Sequence, residues 1–154
     1  MKKENSHKLL TGAVVTGIIN AVINGLINWF QVKGQSGIMI TSDSISGQEH
    51  TVMSGAIILA FTLSVIIASI AYFTVKAEGK PSYFPSAFLL TLRNAFFLFG
   101  LIVTLAILWQ RLAGSVTVMP AVAATLVGAI AGIVAGVTDY LTKKELLGGD
   151  VIRR

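Results

Sequence analysis

The 154-residue chain is 54% hydrophobic and 12% charged, with a mean hydropathy of +0.78, values that exclude an ordinary water-soluble domain. A formal charge of +5 would suggest nucleic acid for a soluble protein; in a chain this apolar it reads as orientation in a membrane, so the expected partner is the lipid bilayer and not nucleic acid. No cysteine is present, which removes disulfides, thiol nucleophiles and cysteine-based metal sites.

The first apolar stretch runs from Leu9 to Val32, behind Lys2, Lys3 and Lys8. It resembles a secretory leader but is too long and lacks a small-x-small cleavage site, so an uncleaved membrane span is expected. Inside it, "INAVINGLINWF" sets Asn20, Asn24 and Asn28 at steps of four, with Thr16 and Gly12 extending the same helical face. Counted from Leu9, Asn20 lies ~16 Å deep and Asn28 reaches the outer boundary beside Trp29. A carboxamide cannot face hydrocarbon without loss, so this face must turn toward protein or water. Two readings follow. The amides either lock helix contacts, at ~0.6 and at most ~1.7 kcal/mol per bond, or line a polar vestibule open to the outer face, where they replace part of a solute's hydration.

The segment 33–50 is the longest connection. Its "GIMITS" piece has strand-like content, but an isolated strand leaves backbone groups unpaired, so a loop or half-turn on the outer surface is expected. Asp43, Glu49 and His50 invite a metal or acid/base reading; adjacent residues diverge on a helix and no second histidine accompanies His50 on that side, so capping and solvation are expected instead. The second span, Thr51 to Val75, would be ~37 Å long and should tilt. Pro81 and Pro85 in "AEGKPSYFPS" stop it, and Ser82 or Ser86 is placed to cap the third span.

The third span, from Phe84, carries Arg93 and Asn94 at ~10 Å depth. Gly114 ends it, and Pro120 fits the first turn of the fourth span, Val118 to Thr142. There Ala124, Gly128, Gly132 and Gly136 form an i, i+4 stripe suited to close helix approach, either inside the bundle or at a homodimer seam. Asp139 is the one acid within a span, and a direct ion pair with Arg93, or a link through one polar neighbour, is predicted to close the inner end of the bundle; the alternative is an arginine that snorkels to the headgroups.

Basic residues cluster at Lys2, Lys3, Lys8, Lys76, Lys80, Lys143, Lys144, Arg153 and Arg154, against Lys33 and Arg111 on the other side. The positive-inside rule then places both termini in the cytoplasm. The expected architecture is an all-α antiparallel four-helix membrane bundle, one domain over 1–154 with helices near 9–32, 51–75, 84–112 and 118–143 and an outer loop at 33–50. "TVM" at Thr51 and Thr117, and "YFTVK" against "YLTKK", hint at two parallel repeats. Metalloprotease, nucleophile-elbow and phosphate-loop motifs are absent, so no enzyme activity, cofactor or metal is expected. The pattern is permease-like in the loose sense of a small polytopic bacterial inner-membrane protein. As a transport or channel component it would use Thr16, Asn20, Asn24, Asn28 and Asn94 as a solute route with Arg93 and Asp139 beside it, completed by a homo-oligomer or membrane partner. As an assembly subunit it would use the same groups only for packing.

Overall fold

The computed structural model describes residues 3–41, 51–77 and 79–148. It is helical, with α1 (Lys3–Val32), α2 (Val52–Thr74), α3 (Phe88–Ala113) and α4 (Pro120–Gly148). All four are long and apolar enough to cross a membrane, which makes this an integral membrane protein. α4 packs against both α1 and α2, α2 packs against α3, and α1 touches little besides α4.

Two kinds of packing hold these helices. Ile57, Leu63, Ile67, Leu98, Ile102 and Val134 form a side-chain core where α2, α3 and α4 meet. The α1–α4 contact is built on small residues that bring main chain close to main chain. A Cβ placed on Gly17 would lie 2.8 Å from the Gly132 carbonyl oxygen, and one on Gly128 would lie 2.7 Å from that of Ala21. Gly25 meets Ala124 and Gly128, while Gly136 meets Ala13, so the register steps back along α4 as it advances along α1. The Ala124, Gly128, Gly132 and Gly136 stripe thus lies against α1 of its own chain, opposite a matching row of Ala13, Gly17, Ala21 and Gly25.

At the end where α1 finishes, "IMI" is a strand after all. β1 (Ile38–Ile40) pairs antiparallel with β2 (Val116–Val118), with Ile38 opposite Val118 and Ile40 opposite Val116. The expectation of an unpaired loop fails because the partner lies in the α3–α4 connection, far away in sequence. Ile38 and Ile40 face inward and Met39 outward, the two-residue alternation of a strand with one buried face. The pairing also separates the two "TVM" segments. Thr51 is the N-cap of α2 and Thr117 sits in β2, so they have no common structural role.

The helix ends show which local signals acted. Thr51 and Ser54 form a capping box, each side chain accepting the other's backbone N–H at 3.1 Å. Gly114 ends α3 at φ +69, a conformation that favours glycine, and its N–H donates to Gln110 O. Neither Ser82 nor Ser86 caps α3. A π-helical turn over Tyr83–Ala87, with a cis Phe84–Pro85 peptide, leads into that helix, and the Ser82 hydroxyl donates to Phe84 O instead. The orphan carbonyls at the end of α2 are satisfied by Lys80, whose Nζ donates to Tyr72 O and Val75 O at 3.0 and 3.2 Å.

Candidate functional site

The asparagine row sits one residue behind the glycine seam along α1. The pairs 12/13, 16/17, 20/21 and 24/25 advance together at i+4, so the polar row stays beside the seam for the whole length of the contact. On one flank of the seam, two open apolar grooves of about 580 and 500 Å³ run between α1 and α4, lined on α1 by Leu10, Val14, Ile18, Val22 and Leu26. The asparagines occupy the other flank, the side on which α4 turns Ala131, Val134 and Thr138 toward α2.

Thr16, Asn20, Asn24 and Asn28 are all half-buried. The Asn20 Nδ2 donates to Thr16 O and the Asn24 Nδ2 to Asn20 O, each at 2.9 Å and each within α1. Among the described residues no hydrogen bond links these amides to another helix. Asn20 and Asn24 thus each engage an amide hydrogen within α1, while none of the three amide oxygens accepts from a described residue. The Asn28 Oδ1 is buried and accepts from no described residue.

The polar ties between helices lie elsewhere, toward the end of the molecule where α1 begins and α4 finishes. Asn94 is 3% exposed and donates to Thr142 Oγ1 at 3.2 Å, joining α3 to α4. It accepts from the Arg93 guanidinium, and it is not brought to the α1 row. Thr138 donates to Ser64 Oγ at 3.2 Å, joining α4 to α2.

The predicted Arg93–Asp139 pair is replaced by two others. Arg93 pairs with Glu145, and Asp139 pairs with Lys143 at 2.7 Å. The cause is the length of α4. It continues to Gly148, past the expected end near 143, and thereby carries Glu145 to the α3 side. Asp139 meanwhile meets a lysine one helical turn along its own helix, so the i, i+4 spacing already present in the sequence decides its partner. Asp139 is 3% exposed and needs such a cation. Lys143 in turn lines a pocket of about 290 Å³ with Lys8, Leu9, Gly12 and Leu147. Asp43, Glu49 and His50 lie outside the described residues.

No protein-family model, curated protein or solved structure matches this chain.

Proposed function

We propose that this chain is a transport or channel component of the permease-like kind, an antiparallel four-span bundle with both termini in the cytoplasm of a bacterial inner membrane. The asparagine row of α1 forms the upper part of its solute route. The observation that carries this reading is the state of the amides. Three carboxamides stand half-buried on the flank of α1 that turns toward α2, their acceptor oxygens claimed by no other helix. A buried acceptor without a donor is costly, as at the Asn28 Oδ1, whereas a row of amides facing a passing solute substitutes for its hydration. α1 leans on α4 and makes little contact with α2, which leaves the space between α1 and α2, floored by α4, as the route. Four helices enclose a narrow space, so a second copy or a membrane partner completes the wall.

The assembly reading draws on the other polar groups. The Asn94–Thr142 and Ser64–Thr138 bonds do tie helices together, and they account for the buried polarity of α2, α3 and α4 without a solute. They do not account for α1.

The test is flux into proteoliposomes, with urea, glycerol, potassium, chloride and acetate as probes. Wild type should pass at least one faster than empty vesicles, and Asn24→Leu should slow it about tenfold by removing the mid-depth amide. Equal rates in both would remove the amides from the route. Because the chain has no cysteine, single substitutions read the orientation directly. A thiol at Ser36 should react with an impermeant maleimide from outside the cell, and one at Lys76 only after permeabilisation.

A further inference from the structure

We propose that the asparagine flank of α1 is the docking surface for a second copy of this chain, the two copies being related by a two-fold axis along the membrane normal so that row faces row. The inference goes beyond the transport reading and holds whether or not a solute passes. It begins with how little of α1 its own chain covers. Of the most apolar stretch of α1, 11% is buried, the least of the four spans, and its contacts are overwhelmingly with α4. Lipid suffices for the exposed apolar side chains, such as Ile19, Ile23 and Ile27. It does not suffice for the amides, because an acyl chain neither donates nor accepts a hydrogen bond.

What the row needs from a neighbour is specific. Asn20 and Asn24 each bond one amide hydrogen within α1, which leaves a second hydrogen and the oxygen on each. A carboxamide offers what another carboxamide lacks, so the set is complementary to itself. It is also ordered, since i, i+4 spacing puts successive amides ~6 Å apart along the helix. A neighbour must present donors and acceptors at that spacing and at the same depth. A second copy inserted in the same direction meets both conditions, because a two-fold axis along the membrane normal sets each residue opposite its own counterpart. Asn20 then meets Asn20 of the partner subunit, and Asn24 meets Asn24 of the partner subunit.

Two further features place the centre of the contact. The Asn28 Oδ1 is enclosed by the chain itself, so the outer end of the row is out of a partner's reach. In the other direction the row continues through Thr16 to Gly12, where a Cβ would meet nothing within 4 Å, in contrast to Gly17, Gly128 and Gly132 of the seam. No described part of this chain fills the space a side chain at Gly12 would take, although glycine weakens a helix interior. Against a second copy that glycine lets two backbones approach, and a row of small and short polar residues at i, i+4 suits a right-handed crossing of about 40°. The partner's α1 then lies over the cleft between α1 and α2, and the space between the two rows is lined by both copies.

The chain has no cysteine, so single thiols report which faces meet. Asn20→Cys and Asn24→Cys each leave the other amides in place. Reconstituted at a high lipid-to-protein ratio and oxidised with copper phenanthroline, both should give severalfold more disulfide-linked dimer than Ile18→Cys and Val22→Cys on the opposite flank. Association is read separately by energy transfer between copies labelled at Ser36→Cys. Adding Asn24→Leu should weaken it about tenfold, and Asn24→Gln should retain most of it. The crosslinks do not depend on whether Asn24→Leu folds. Dimer formed at Ile18 and Val22 but not at the row would put the second copy on the other flank and overturn the inference. So would the absence of both crosslinks and energy transfer, which would leave the row to water or to a different membrane protein, and so would energy transfer indifferent to Asn24→Leu. None of these readouts uses flux. Crosslinking at the row without flux would leave the dimer standing and remove the transport reading, and flux without crosslinking would do the reverse.

Discussion

α1 and α3 both stand at the edge of the bundle, yet they are attached by different means. Of the most apolar stretch of α1, 11% is buried within the chain, against 33% for α3. α3 is held by side chains, with Leu98, Ile102 and Ala106 in the shared core and Asn94 and Arg93 bonded to α4. α1 is held by main chain against main chain, glycine facing glycine. A side-chain core gives by small repacking when one residue changes, because each contact is a fraction of a large total. The glycine seam has little such slack at Gly17, Gly128 and Gly132, where an added carbon would lie under 3.0 Å from the facing helix. The helix that carries the asparagine row is therefore the one whose attachment is closest to all or none.

The largest effect is expected at the seam. In Gly132→Leu the first added carbon would lie 2.9 Å from both Ala21 Cβ and Gly17 O, so α1 and α4 must separate. Destabilisation should reach about 3 kcal/mol or more, the top of the range for overpacking. The two tryptophans allow it to be localised, since Trp29 is on α1 and Trp109 on α3. In single-tryptophan versions titrated with SDS, the Trp29 transition should move to lower denaturant while that of Trp109 holds. Both moving together would mean that α1 is part of the common core. Asn94→Leu is the converse. It removes the tie to Thr142 and should shift the Trp109 transition by roughly 1 kcal/mol with little change at Trp29. Smaller again is the Ser64–Thr138 bond. A double-mutant cycle of Ser64→Ala and Thr138→Val should give a coupling near 0.6 kcal/mol, because Ser64 also donates to Ala60 O and keeps that bond when Thr138 is changed.

How much of this was legible in the sequence follows the same division. The four spans and the Gly114 stop come from composition and local chemistry, and the structure carries them. The small-residue stripe of α4 stands out in the sequence, whereas its mate on α1, Ala13, Gly17, Ala21 and Gly25, has the same i, i+4 spacing as the adjacent asparagines and is overshadowed by them. The β1–β2 pair is not legible in the sequence because a strand is defined by its partner, and "VTV" alone is too short to announce one. The exchange of ion partners at Arg93 and Asp139 follows from the run of α4 beyond residue 143 to Gly148. No helix-stopping residue stands there, and the next glycines are at 148 and 149, so composition could not show how far the helix would run past the membrane boundary.

The Arg93–Glu145 pair should matter least to stability, and that smallness tests where this end of the molecule lies. The arginine side chain is 53% exposed and that of Glu145 is 23% exposed within the chain, so the worth of the pair depends on what fills the remaining surface. Among hydrated headgroups, Arg93→Gln should cost less than about 1 kcal/mol and should cost less still at high salt. Within hydrocarbon the same substitution would strand the Glu145 carboxylate, and the loss would be several times greater and insensitive to salt. Glu145 stands about two and a half turns beyond Gly136, the last glycine of the seam, and a small, salt-sensitive loss places it where α4 projects out of the membrane; a large, salt-independent loss would instead draw Lys143 and the pocket beside it down into the apolar layer. The measurement, an SDS titration of Arg93→Gln at two ionic strengths read at Trp109, thus fixes the depth of the lysine pocket as well as the worth of one surface pair.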